Sequence, residues 1–252
     1  MNLYLALVDD AGLFPPTSLH MSEALARHQR DLERASQVLT HRFLCPASRL
    51  DGLRREEEAP PRRIGLIVDT PDIPPFDDLP VDSVELRADA LDQLPGGGLP
   101  AGVRLFVEVP AGKYVADVPE GAALKVRCGG LTADAFPSVE HLAAFIRFCA
   151  EHDLQFKATA GLHHAVRHFD PTLGVDRHGF LNLLLAVCEA VDQRDPAPVL
   201  RTTDVGHLVR LARAVSEETA KRARALLVSY GSCSTGAPLD DLRALGLIEE
   251  NA

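Results

Sequence analysis

From residue 63 onward, apolar and polar positions alternate in short β-rich runs at regular intervals. The runs are IGLIVD (64–69), VDSVELRAD (81–89), VRLFVEVP (103–110), ALKVRCGG (123–130) and QFKATAG (155–161). Their starts lie about twenty residues apart, until a helical pattern at 138–152 lengthens one interval. That helix has Pro137 and a Ser138 N-cap ahead of it, with Leu142, Phe145, Ile146 and Cys149 on one face. Short strands separated by helical or loop connections predict parallel pairing through right-handed crossovers.

Within each run the two faces differ. Side chains alternate at a period of two, so Val84 and Leu86 oppose Glu85 and Arg87, while Leu105, Val107 and Val109 oppose Glu108. Leu124 and Val126 likewise oppose Lys125 and Arg127, and Phe156 opposes Lys157. A buried parallel strand is ordinarily apolar on both faces. Here one face is apolar, for surrounding helices, and the other is ionic. The pattern predicts an α/β protein, a (β/α)8 TIM-like barrel whose interior collects charges from four neighbouring strands.

The rest of the chain is placed around that barrel. Residues 2–8 are apolar, the stretch from Asp9 to Pro16 reads as a loop, and 18–39 has helical spacing through Met21, Leu25, Leu32 and Val38. Residues 1–38 are therefore expected to be an N-terminal cap segment and helical extension, and 39–252 the barrel, in one domain. Residues 40–45 form a strand candidate closed by Pro46, and the charged run 54–58 a solvated loop. Helical patterns follow at 180–192, 204–224 and 239–248, with a strand candidate at 226–229. VLRTT at 199–203 is a weak candidate for the strand still needed to reach eight.

Composition narrows the partners. A net charge of −10 argues against nucleic acid and anionic membrane surfaces, which need a basic face. No apolar run reaches the roughly 18 residues of a membrane span. The first ten residues lack the pattern of a signal peptide. The five cysteines are widely spaced and contain no CxxC pair, which fits reduced thiols and a cytoplasmic setting. Homo-oligomer formation is left open. Of 26 basic residues only four are lysine, at 113, 125, 157 and 221. With arginine so strongly favoured, a lysine inside a strand calls for its own reason, and Lys125 and Lys157 are both in that situation.

Lys157 opens the stretch richest in chemistry. His163, His164, His168 and His178 follow it within a segment that also holds Arg167 and Arg177. Working sites of such barrels lie at the C-terminal strand ends. A lysine among other cations is expected to lose its proton easily and to attack carbonyl carbon as a free amine, with Lys125 as the depressing charge. The candidate catalytic groups are thus Lys157, Lys125, Glu85, His163 and His164. Candidate substrate-binding groups are Arg87, Arg127, Glu108, Arg167, His168, the Gly129 and Gly130 turn, and Ser232 and Ser234 in the 232–236 turn. No metal ligand is assigned.

Local resemblances point the same way. KATAG at 157–161 looks like the Schiff-base lysine motif of deoxyribose-phosphate aldolases, and VELRAD at 84–89 resembles the Glu-Leu-Arg-x-Asp strand of type I dehydroquinate dehydratases. Both families are lysine-dependent barrels. The departures are that the histidines here follow the lysine, where the dehydratase histidine precedes it by a strand, and that the aldolase pattern lacks a double histidine. Over nearly its full length the chain is similar to a bacterial family of hypothetical TIM-barrel-like proteins, in AGLFPP (11–16), FKATAGLHH (156–164), HGFLN (178–182) and YGSCS (230–234). That similarity implies a barrel and no particular activity.

Three readings result. The first is a lyase or aldolase acting on a small anionic carbonyl metabolite through Lys157, without a cofactor. The second is a proton-abstracting or hydrolytic barrel with a divalent metal on Glu85, Glu108 and a histidine. The third is a non-catalytic barrel that holds an anion with Arg87, Arg127 and Arg167.

Overall fold

The computed structural model describes residues 3–57, 60–110 and 119–249. Along the chain the elements are β1 (Val8–Asp10), α1 (Met21–Arg34), β2 (Leu39–Pro46), α2 (Leu50–Arg54), β3 (Ile64–Ile67), β4 (Val81–Arg87), β5 (Arg104–Val109), β6 (Ala123–Arg127), α3 (Val139–Glu151) and β7 (Phe156–Thr159). They continue with β8 (His168–Asp170), β9 (Val175–Arg177), α4 (Phe180–Val191), α5 (Ala197–Arg201), α6 (Val205–Ala214), α7 (Glu217–Leu226), β10 (Leu227–Ser232) and α8 (Gly236–Ala244). Eight of the strands close into a parallel barrel in the order β1-β10-β7-β6-β5-β4-β3-β2, as the alternation predicts. β8 and β9 form a separate antiparallel hairpin.

The strand missing from the sequence pattern is at the N-terminus. β1 lies between β10 and β2, and α1 is the first crossover helix, so residues 8–34 supply a wall of the barrel within the stretch where a cap and extension were expected. A strand of three residues carries too short an alternation to be read as one. VLRTT supplies no strand: Val199, Leu200 and Arg201 belong to α5, whose first turn accommodates Pro196 and Pro198 where no intrahelical N–H bond is lost. β7 consequently passes to β10 through one long insertion that contains the hairpin and α4 to α7.

The helices are unevenly distributed. Among the described residues, the connections β3 to β4, β4 to β5 and β5 to β6 contain no α-helix, only a 3-10 stretch at Ala88–Gln93. The larger apolar core lies where helices are dense, around β7, β10, α3, α4 and α7. Every residue of α4 except Glu189 is buried, which explains its nearly unbroken apolar sequence. Phe156, on the outward face of β7, meets Phe145 of α3 edge to face at 5.1 Å. Burying a side chain of that size stabilises by roughly 2–3 kcal/mol. The Ser138 hydroxyl oxygen accepts from the His141 N–H at 3.1 Å, which fixes where α3 begins.

At the N-terminal ends of the strands the buried Arg224 guanidinium donates to the carbonyls of Leu5 (3.1 Å), Ala6 (2.9 Å), Leu227 and Val228 (2.8 Å). Burial brings its pKa down to about 10. One side chain thus satisfies carbonyls of β10 and of the segment leading into β1, at the end remote from Cys128, Thr159 and Ser232. No helix among the described residues is long and apolar enough to cross a membrane.

Candidate active site

The parallel register sets Lys125 beside Lys157, Glu108 beside Lys125 and Ser229 beside Lys157. Two ammonium groups on adjacent strands repel, and the acids of other strands separate them. Glu85 of β4 reaches between the two, Oε1 accepting from Lys157 and Oε2 lying 2.8 Å from Lys125 Nζ. Lys157 Nζ is also 2.6 Å from Asp9 Oδ2 of β1. Lys125 Nζ is 2.9 Å from Glu108 Oε2, whose other oxygen accepts from Arg127 Nε at 3.0 Å. On the far side of Asp9, Arg42 of β2 lies 3.3 Å away, and it donates onward to Asp82, which also holds Arg63. The result is a belt of five cations alternating with four anions, Arg127-Glu108-Lys125-Glu85-Lys157-Asp9-Arg42-Asp82-Arg63.

Glycine and an aromatic ring make room for it. A Cβ on Gly65 of β3 would lie 2.6 Å from Leu44 Cδ2 and 3.1 Å from Arg42 Cδ, so the absence of a side chain there lets Arg42 cross the interior. The Lys157 ammonium sits 5.2 Å from the centre of the Phe106 ring, over its negative face.

Burial and pairing act in opposite directions on these groups. Burial alone would raise the Asp9 carboxyl. Lys157, Arg42 and hydrogen bonds from Lys157 and Thr40 outweigh it and hold the pKa at about 2. Asp9 accepts from Ser229 Oγ as well, at 2.8 Å, so its charge is fully solvated by protein. Glu85 is held below the ordinary carboxylate range by Lys125 and Lys157, which overcome burial, and Glu108 by Lys125 and Arg127. Lys125 departs from expectation. Burial would lower it, but Glu85 and Glu108 raise it above the usual lysine value, so it is a fixed ammonium at neutral pH. The depressing neighbour expected for Lys157 is thereby neutralised by its own two acids, and Lys157 itself faces Asp9 and Glu85 directly.

The chain matches no family model, no curated protein and no solved structure. The belt therefore has to be interpreted from its own geometry. Among the described residues no group of three or more His, Cys, Asp and Glu side chains is placed to hold a metal ion. Glu85 and Glu108, the two acids considered for that role, point their oxygens at Lys157, Lys125 and Arg127.

Of the remaining sequence candidates, several lie apart from the belt. Arg87 is largely exposed and makes two hydrogen bonds to Asp89, because it ends its strand and its side chain leaves the barrel. Arg127 keeps contact with Glu108 but is half exposed at the rim. The histidines separate. His164 is exposed, 3.6 Å from Asp241, and edge to face with His168, whose Nδ1 faces the Val166 carbonyl at 3.0 Å. Arg167 pairs with Asp176 at 3.0 Å and lies 3.3 Å from His178 Nδ1, while His178 Nε2 meets the Pro137 carbonyl at 2.8 Å. These contacts tie the hairpin segment to α8 and to the start of α3. His163 alone turns toward the last barrel strand, its Nδ1 3.5 Å from Cys233 Sγ.

The two glycine turns also have local explanations. A Cβ on Gly129 would lie 2.8 Å from Gly161 Cα, and one on Gly161 2.8 Å from the Cys128 carbonyl. Gly161 moreover has a φ of +74°. The loops after β6 and β7 touch backbone to backbone there, so the glycine of KATAG is needed for packing. Gly130 is equally close to Ala135. Ser232 Oγ donates to the Ser234 carbonyl at 2.7 Å, and Ser234 Oγ accepts from the Ala237 N–H at 3.2 Å, so this turn binds the start of α8.

Asp9, Arg42, Asp82 and Arg63 were not among the sequence candidates, and they complete the belt. The available signal was the acid ending an apolar N-terminal run. Its neighbour Asp10 anchors α1, accepting from Arg27 and lying 3.2 Å from His28 Nδ1.

Proposed function

We propose that this barrel is an enzyme of the lyase or aldolase type, acting on a small anionic carbonyl compound through Lys157. The observation that carries the reading is the placement of the Lys157 ammonium between the carboxylates of Asp9 and Glu85, with Lys125 as a permanent cation behind Glu85. Glu85 accepts the ammonium proton as the amine attacks the carbonyl carbon. The nitrogen passes a proton to the alkoxide to give the neutral carbinolamine, whose hydroxyl then takes back the proton held by Glu85 and departs as water, which leaves an iminium on Lys157. This iminium carries the same unit charge as the ammonium it replaces. Asp9, on the other side of the nitrogen, remains its counterion. The buried charge balance is therefore kept through the covalent step. The iminium withdraws electrons from the adjacent bond, whose cleavage is the lyase step. The belt has one more cation than anion, and half-exposed Arg127 at the rim suits a substrate with an anionic group.

A second reading rests on the completeness of the pairing. Every charge in the belt has an opposite neighbour, as it would in a network that only supports the barrel. One experiment separates the two. Borohydride is added to the protein in the presence of a panel of small aldehydes and ketoacids, followed by peptide mass analysis. The enzyme reading expects a reduced adduct on the Lys157 peptide that is lost in Lys157→Arg. Absence of an adduct with every carbonyl compound would leave the supporting network as the explanation.

A further inference from the structure

The lysine chemistry leaves one pair of reactive groups unused. Cys233 directly follows β10 and His163 follows β7, the strand beside it, so both stand at the C-terminal ends of the barrel strands. The thiol Sγ is 3.5 Å from His163 Nδ1, within hydrogen-bond reach for sulfur. The other four cysteines have no such partner role. Cys45, Cys128 and Cys149 are fully buried, Cys188 is 2% exposed and Cys233 6%. Burial pushes the thiols of Cys45, Cys128 and Cys188 up to about 12, and that of Cys149 higher still.

The surroundings fix the protonation state of the base. Burial, and then the Arg177 guanidinium of β9, lower the His163 pKa, so its imidazole is neutral at physiological pH and can accept a proton. The other charged groups nearby are already committed. Arg27 of α1 donates to the Cys233 carbonyl at 2.7 Å and to Asp10, and Asp241 of α8 accepts from the Ala165 N–H at 2.7 Å. The thiol is therefore left to the imidazole alone.

We infer that Cys233 and His163 form a second reactive site at the barrel mouth, a thiol with its own general base that captures small aldehydes as thiohemiacetals. In that step Sγ forms a bond to the carbonyl carbon as the thiol proton passes to His163 Nδ1. The C=O π bond becomes an alkoxide lone pair, and the imidazolium returns the proton to that oxygen. The addition is reversible and needs no oxidant, metal or leaving group. It is independent of Lys157, and it is read on a different peptide.

The test is alkylation of the full-length protein by iodoacetamide between pH 5 and 9, quantified at each of the five cysteine peptides. Cys233 is expected to react at least about tenfold faster than the other four. In His163→Gln its rate at pH 7 should fall by roughly 10²-fold, the usual scale of general-base assistance. In the wild type the assistance persists above the imidazole pKa and disappears as pH falls through it, a limb that His163→Gln lacks. Slow labelling of the other four cysteines reports that the variant is folded. If it is not folded, the wild type decides the matter alone, because millimolar glycolaldehyde should slow Cys233 labelling reversibly. Labelling of Cys233 no faster than the others, a pH profile unchanged by His163→Gln, or no protection by glycolaldehyde would each overturn the assignment.

Discussion

Two groups of polar residues contrast in this molecule. The belt draws Asp9, Arg42, Glu85, Glu108, Lys125 and Lys157 from six different strands, separated by up to 148 positions, into one continuous run of contacts. The histidine segment holds His163, His164, His168 and His178 within sixteen positions, yet their contacts fall into separate groups: His163 meets Cys233, His164 meets His168 and Asp241, and His178 meets Arg167 and the Pro137 carbonyl. Closeness along the chain brought residue types together without joining them in one run of contacts. A closed sheet does the reverse, because one inward position per strand brings distant residues together. The belt is thus energetically one object, and the histidines are several.

The sharpest way to break that contrast is to remove one member of each group. Lys157→Met keeps the side-chain volume but leaves Asp9 and Glu85 buried with a cation missing. It should destabilise by about 3–5 kcal/mol, the scale for breaking a buried ion pair, measured as a lowered urea midpoint. If it is neutral, the belt is not coupled. Acid titration comes next in size. Asp9 has a folded pKa of about 2 against an ordinary 3.8, so the folded state binds fewer protons between those values. Its contribution, roughly 2 kcal/mol, is complete above pH 4 and is lost as pH falls toward 2. Glu85 and Glu108 add in the same direction. Chemical denaturation across pH 2–6 should show this limb, and it should flatten in Asp9→Asn.

Smaller effects sharpen the boundary between the groups. Gly161→Ala forces a side chain into a left-handed backbone and toward the Cys128 carbonyl. A loss of about 1–2 kcal/mol in thermal or urea unfolding is expected, the scale of a residue held left-handed. His164→Ala and Arg87→Ala remove exposed pairs and should change stability by no more than about 0.5 kcal/mol. They should also leave the yield of borohydride adduct unaltered. A large effect from either would return the histidine segment or the β4 rim to the site.

The barrel was legible because its alternation is visible in five runs, and so were the inward charges of β4 to β7. What escaped was set by strand length and by distance. β1 offers three residues, too few for a period, and with it went Asp9. Arg42 follows Thr40 and His41 in an ordinary polar opening to β2, and nothing local marks it as the partner of an acid 33 positions earlier. The KATAG glycine looked like part of a chemical motif, and its position is explained by two backbones in contact. Lys125 reads along the chain as a bare cation beside Lys157, but it is paired with Glu85 and Glu108 from other strands. One-strand reading sees the lysines and Glu85, but not that the Glu85 carboxylate bridges them.

The seam between β1 and β10 has a consequence for biosynthesis. Asp9 leaves the ribosome 220 positions ahead of Ser229, one of its hydrogen-bond donors, which lies on the strand that seals the wall beside it. Until β10 has been made, the barrel is an open sheet with an anion at its unpaired edge. Closure and completion of the charge belt are therefore one late event, and a nascent chain stalled before residue 227 should be protease-sensitive where the finished protein is not.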